Sequence, residues 1–229
     1  MCTFSCQRHH ALLAALLYRE IERVCPADCS RLTERVVTDY GLDRGRIARE
    51  NTLKMGDSLD IHNYKAYKSL RTTDDEFVEE VLSYGPDLTT EVRRCCWIDV
   101  WRQYGLLEYG KRYCLYCDKA MMRGYNPAVT LEIPALMERD GSPVCRFVWP
   151  SVTLCPERVA SKKEQLQGRF VMSWGQLTDH LLHCAKQSLN SEEPGLGDVV
   201  AARALRAFAE IENSRPYEKS GFINDSGDR

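Results

Sequence analysis

The chain has 229 residues, 44% of them hydrophobic, enough to bury the core of one large domain or two small ones. Its 31 Lys and Arg stand against 33 Asp and Glu, a formal charge of −2 with the basic residues scattered, which gives no electrostatic case for nucleic acid or an anionic membrane. The longest apolar stretch, Ala11 to Tyr18, is far short of the ~20 residues of a membrane span; Arg19, Glu20, Glu22 and Arg23 follow it with no small-residue cleavage site.

That stretch therefore reads as the first core helix rather than a secretory signal, and a soluble cytoplasmic protein is expected. Eleven cysteines, an odd number in a reducing compartment, predict reduced thiols, most of them serving as small buried apolar residues.

Leu12, Leu13, Leu16, Leu17, Ile21 and Val24 recur at helical spacing, and Cys25-Pro26 ends that helix. Ser30 caps a second predicted helix carrying Leu32, Val36, Val37 and Tyr40, with Gly41 as its stop; Asp43 caps a third, through Leu53. Further helical pieces are predicted over 61–70 and 74–82, ending before Gly85-Pro86. Thr89 to Trp97 reads as a strand entering the next helix, and Leu106 to Arg123 as a helix stopped by Gly124. Val129, Leu131 and Ile133 alternate with polar residues as a half-buried strand does. Arg139-Asp140-Gly141-Ser142 supplies a turn, and Val144 to Trp149 a returning strand. Helices over 173–188 and 198–211 follow, with a polar, disordered tail expected from Asn213. Helices flanking a small, mainly antiparallel sheet imply a single α+β domain over 1–212.

The densest chemistry lies between Tyr113 and Pro127. On a helix Cys114 and Asp118 are one turn apart, a spacing suited to nucleophilic addition beside an acid or base. Such a thiol needs activation, since free cysteine titrates near ~8.5. Asn126, past the helix stop, is a hydrogen-bond donor for a polar substrate. The competing reading, favoured on spacing alone, makes Cys114, Cys117 and Met121 an apolar helix face. Zinc is the rival use: Cys114-x-x-Cys117 is half of a metal-site spacing, and His180-x-x-His183 with Cys184 offers further ligands. The halves are far apart in sequence and the pair lies within a helix rather than on a knuckle, so no metal and no cofactor are assigned. Cys95 and Cys96 end a strand on opposite faces, which puts one toward the core or a pocket. Cys145 alternates with Phe147 and Trp149, where packing is favoured over catalysis. His62 reads as a general base or, more simply, a surface or capping histidine. Arg44-Gly45-Arg46 reads as a turn able to hold a carboxylate between two guanidiniums, against a solvated helix start. No Gly-rich phosphate loop, Gly-x-Ser-x-Gly elbow or His-Glu-x-x-His segment is present.

Taken in order, Tyr40-Gly41, Arg44-Gly45-Arg46-Ile47-Ala48, Arg94-Cys95-Cys96-Trp97, Tyr113-Cys114 with Asp118, Gly124-Tyr125-Asn126-Pro127 and the strand from Gly141 to Phe147 resemble the L-2-amino-thiazoline-4-carboxylic acid hydrolase family. Cys96 stands where the family pattern has proline, and Ser142-Pro143 replaces its Gly-Asp turn chemistry. The resemblance implies hydrolytic opening of a small cyclic amidine carboxylate, or a related addition, elimination or cyclisation in a biosynthetic pathway. It implies Cys114, Asp118, Asn126 and Cys95 as catalytic residues, with Arg44, Arg46, His62, Tyr125 and Cys145 around the substrate. The expected partner is a small-molecule substrate, a homodimer is compatible, and neither nucleic acid nor membrane is expected. The closing strand also resembles small-ligand-binding domains of the vinyl-reductase type, so the alternative is a non-catalytic ligand- or metal-binding module.

Overall fold

The run from Ala11 to Leu17 is the most deeply buried part of the protein, each residue at most 1% exposed. A helix apolar on every side must be surrounded, and α1 (Gln7–Val24) is. Around it pack α2 (Cys29–Lys54), α4 (Cys96–Gln103), α5 (Leu107–Tyr125), α7 (Trp174–Asn190) and α8 (Leu196–Ser214). The Trp101 indole donates to the Ala11 carbonyl at 2.8 Å and ties α4 to this centre. A short helix α3 (Ile61–Ala66) packs on α6 (Pro156–Leu166). The strands β1 (Phe77–Ser83), β2 (Leu88–Cys95), β3 (Glu132–Ala135) and β4 (Cys145–Trp149) form one antiparallel sheet in the order β1-β2-β4-β3. The fold is α+β. This computed structural model describes residues 6–70, 72, 76–137 and 141–214.

Glu20 departs from the amphipathic reading of α1. It is 2% exposed, yet Arg19, Arg23 and Arg203 approach its carboxylate at 3.0, 2.7 and 2.9 Å. Burial pushes its pKa up, but hydrogen bonds from Arg203 and Arg19 outweigh burial and hold the carboxyl below its ordinary value.

Several sequence expectations are corrected. Gly41 does not stop a helix, and no new helix starts at Asp43, because α2 is continuous through both. Gly124 likewise lies inside α5. These glycines mark a close helix crossing. A Cβ on Gly41 would lie 2.7 Å from both the Ala120 Cβ and the Cys117 carbonyl oxygen; on Gly45 or Gly124 it would collide with the backbone of Met121 or Leu42. Glycine disfavours a helix interior by about 1 kcal/mol, and here that loss is offset by the most extensive helix pairing in the protein, α2 on α5. Arg44-Gly45-Arg46 is accordingly mid-helix, not a turn.

The helix expected over 74–82 is strand β1 from Phe77 onward, and the piece expected over 61–70 is the shorter α3. Strand β3 begins three residues later than the alternation at Val129 suggests. Helix α6 was not expected at all. The end of α8 carries helix through Ser214, two residues into the expected tail; the rest of that tail, and residues 139 and 140 of the expected turn, lie outside the described residues.

Candidate functional site

Strand pairing sets one face of the site. Glu79 pairs with Val92, Val81 with Thr90, Thr90 with Phe147 and Val92 with Cys145, so these side chains share the inner face of the sheet. The register shifts between Val78 and Glu79, where Arg93 is the extra residue. Such a bulge puts two residues of one strand opposite one of the other. Cys95, opposite Phe77, is thereby returned to the inner face with Val92 and Cys145.

Helix α5 lies over that face. Cys114 and Asp118 are one turn apart on it, as the spacing predicts, and both keep a partly accessible surface. Cys95, Cys145 and Asp118 are all close enough to Cys114 to act on its charge. Burial first, then those neighbours, push the Cys114 thiol well above its ordinary pKa. Cys95 is pushed up to about 11 by burial, with the amides of Ile98 and Trp97 at the start of α4 acting in the opposite direction. No capping hydrogen bond is formed by its side chain, so those amides act as dipoles rather than as direct donors. Cys145 is buried and accepts from the Met137 amide at 3.3 Å. The ten described cysteines are free thiols.

Helix α2 supplies the third wall. The Gly41 and Gly45 crossing brings Arg44 against α5. There its guanidinium donates to the Tyr113 hydroxyl at 3.4 Å and the Ser69 hydroxyl at 3.1 Å, and lies 5.5 Å from the Tyr40 ring centre. Arg44 is 5% exposed, its Nε has no hydrogen-bond partner, and no carboxylate lies within ion-pair range of it among the described residues. Beyond Tyr113 stands an aromatic wall in which His10 sits 5.3 Å from Trp97 and bonds Thr178 at 3.0 Å. Burial, then the Arg44 charge, lower the His10 pKa to about 3, so this ring is neutral.

Three charged residues of the site were not anticipated. Lys65 places its ammonium 3.2 Å from Glu79 and 4.5 Å from the Trp149 ring centre, and Lys68 reaches the same carboxylate at 3.7 Å. Burial, then the Lys68 charge, lower Lys65 to about 8 despite Glu79. Glu79 falls to about 2, because the two lysines outweigh the effect of burial. Asp118 is raised, burial exceeding the opposing pull of Arg44, Lys68 and Lys65. The cluster thus carries three cations, Arg44, Lys65 and Lys68, against two carboxyl groups, one of which resists ionisation.

The remaining expected site residues lie elsewhere. Asn126 caps α5 and is engaged on both sides, donating to the Leu59 carbonyl at 2.7 Å and accepting from the Ala128 amide at 3.0 Å. Tyr125 is fully buried against Tyr64, with its hydroxyl on the Asp60 carbonyl. His62 accepts the Cys155 amide at 3.0 Å through Nε2 and faces Asp60 at 3.4 Å through Nδ1, tying α3 to α6. Arg46 is exposed, ion-paired to Asp43, and on a different side of α2 from Arg44. Among the residues weighed for zinc, Cys117 packs beside Tyr113 and Arg44 and His183 is exposed, whereas His180 and Cys184 meet Asp43.

A model of the L-2-amino-thiazoline-4-carboxylic acid hydrolase family matches residues 6–149, the span from α1 to β4. The chain belongs to that family. No curated protein and no solved structure matches it. Cys95, Cys114, Asp118, Cys145, Arg44, Lys65, Lys68 and Glu79 all fall inside the matched region. Among the described residues no helix is long and apolar enough to cross a membrane.

Proposed function

We propose that this protein hydrolyses a small cyclic amidine bearing a carboxylate, with 2-aminothiazoline-4-carboxylate as the reference substrate. The observation that carries the reading is Arg44: a buried guanidinium with an unpartnered Nε and no carboxylate in ion-pair range among the described residues. A buried cation is strongly disfavoured unless something pairs with it, and a substrate carboxylate supplies that partner in bidentate form. Lys65 and Lys68 add to the positive field that acts on Asp118.

The reaction needs an electrophilic C2. Protonating a ring nitrogen provides it, and Asp118, whose carboxyl burial holds up, is the acid in position to donate that proton or to hold the amidinium. Water then adds to C2. Breaking the ring C2–S bond releases sulfur as a thiol and leaves an N-carbamoyl amino acid, so the product is the substrate plus one water. Breaking the ring C2–N bond instead leaves an amine and no thiol. Cys114 is a protonated thiol in this environment, and a thiol is a weak nucleophile. That direction favours attack by water, with Cys114 shaping the wall beside C2. The one-turn spacing of Cys114 and Asp118 supports a second route, in which Asp118 takes the thiol proton during covalent attack.

Mass spectrometry of the protein incubated with 2-aminothiazoline-4-carboxylate tests both. The expected result is turnover by the wild type, retained within about 10-fold in Cys114→Ala and reduced roughly 10²- to 10⁴-fold in Asp118→Asn. A trapped adduct on Cys114, with both variants equally inactive, selects the covalent route. No product from the wild type sinks the hydrolase reading and leaves a non-catalytic carboxylate-binding site.

A further inference from the structure

An open groove of about 880 Å³ lies away from the thiol–carboxylate pair, between α2, α7 and the end of α5. Asp43, Arg46 and Cys184 are in its wall. Here one potential ligand atom each from Asp43, His180 and Cys184 lies within 4.8 Å of the other two. His180 and Cys184 are one turn apart on α7 and so project from one face toward Asp43 on α2. His180 bonds Asp43 Oδ2 at 2.7 Å, while its Nδ1 is buried and has no hydrogen-bond partner among the described residues. Cys184 is 6% exposed. None of these three groups belongs to the Cys114–Asp118–Arg44 cluster, and two of them lie outside the matched span 6–149.

We propose that Asp43, His180 and Cys184 form a binding site for a divalent transition metal, zinc foremost, with its fourth position open to the groove. The donor set is a thiolate, an imidazole and a carboxylate. Hard cations such as calcium and magnesium take oxygen ligands throughout, whereas zinc accepts nitrogen, sulfur and oxygen together in tetrahedral geometry. Ligand atoms held ~2.0–2.3 Å from a tetrahedral centre stand roughly 3.3–3.8 Å apart. The three groups lie within 4.8 Å of one another, so metal entry requires the 2.7 Å His180–Asp43 contact to open by about 0.6 Å and the Cys184 thiol to close onto the ion, both by side-chain rotation. Arg46 binds Asp43 through the other carboxylate oxygen, Oδ1. It can keep that contact while Oδ2 turns to the metal, orienting the ligand as outer partners do in metal sites. Binding deprotonates Cys184, whose proton passes to solvent through the groove.

The test uses the full chain stripped with a chelator and titrated with Co²⁺, whose thiolate complexes are coloured. The wild type is expected to bind one equivalent, with a thiolate-to-cobalt charge-transfer band and the strong ligand-field bands of a four-coordinate ion, both removed by added Zn²⁺. Cys184→Ser is expected to lose the charge-transfer band. Asp43→Asn, an isosteric change whose folding is checked by circular dichroism, is expected to weaken binding at least ~100-fold, since outer-partner losses alone cost ~10- to 100-fold. His183→Gln, at the exposed neighbouring histidine, leaves the titration unchanged. Absence of a thiolate band in the wild type, or a band that survives Cys184→Ser or Asp43→Asn at full affinity, overturns the proposal.

Discussion

Gly45 gives a test in which the sign of the answer decides. In a helix interior Gly→Ala is expected to stabilise by about 1 kcal/mol, since alanine is the better helix former. At Gly45 the added Cβ would stand 2.8 Å from the Tyr125 amide nitrogen and 2.9 Å from the Gly124 carbonyl carbon, and closer still to the Met121 carbonyl oxygen. Those atoms are backbone of α5 and cannot rotate away, so α2 and α5 must separate by roughly 1 Å to restore ordinary contact. Overpacking of this kind costs about 1–3 kcal/mol or more, before the loss of contact along the rest of the interface. The net expectation for Gly45→Ala is a destabilisation of about 1–3 kcal/mol, or roughly 3–10 °C in Tm for a chain of this size. Urea unfolding followed by circular dichroism measures it. Because Arg44 is the preceding residue, the same separation is expected to lower turnover. A neutral or stabilised Gly45→Ala would refute the close-crossing account, and with it the reason Arg44 is held against α5.

Three further outcomes follow from the charges. Glu79→Gln removes the counter-charge of two lysines at a partly exposed site and is expected to destabilise the protein by about 0.5–1 kcal/mol at pH 7; the deficit should shrink above pH 8 as Lys65, lowered to about 8, sheds its proton, and a pH-independent deficit in thermal melts would contradict the pairing. His10 has a folded pKa of about 3 against an ordinary 6.5. Below pH 6.5 the unfolded chain therefore binds a proton that the folded one refuses, and stability should fall by about 1.4 kcal/mol per pH unit on this account. His10→Gln should flatten that slope between pH 6.5 and 5 in urea titrations, and an unchanged slope would show that His10 takes up its proton in the folded state. Arg44→Met, which keeps much of the length and apolar contact of the side chain, is expected to raise KM about 10- to 100-fold, the scale of a charged hydrogen bond; a change confined to kcat would argue against carboxylate anchoring.

Much of the helical frame and the central Cys114–Asp118 pair could be read from the sequence, because both depend on spacing within one element. The errors have a common cause in contacts made between elements. Gly41 and Gly124 look like helix stops, and Gly45 like part of a turn, until a second helix lies against them. β1 looks helical because Glu79, a charged residue, occupies an inward position and breaks the alternation expected of a half-buried strand. Its partners Lys65 and Lys68 come from and beyond α3, and no local pattern links them to Glu79. Cys95 reaches the inner face only through a bulge at Arg93, which the sequence does not mark. The metal reading set Cys114 and Cys117 beside His180, His183 and Cys184; the structure keeps His180 with Cys184 and brings to them Asp43, 137 residues from His180. Conversely, Asn126, Tyr125 and His62 are polar or aromatic residues of promising type that packing commits to loop and helix ends. The family resemblance covered these gaps in part, since its Tyr40-Gly41 and Arg44-Gly45-Arg46 segments are the ones that seat α2 on α5.

The central claim is that Arg44 recognises the carboxylate of a cyclic amidine whose ring is then opened beside Asp118. It is tested most directly by comparing kcat/KM for 2-aminothiazoline-4-carboxylate with that for 2-aminothiazoline lacking the carboxylate, in the wild type and in Arg44→Met. The account predicts that the wild type prefers the carboxylate-bearing ring by about 10- to 100-fold or more, and that Arg44→Met loses most of this preference while retaining its rate on the uncharged ring. Equal preference in both proteins, or a variant equally impaired on both rings, would contradict it.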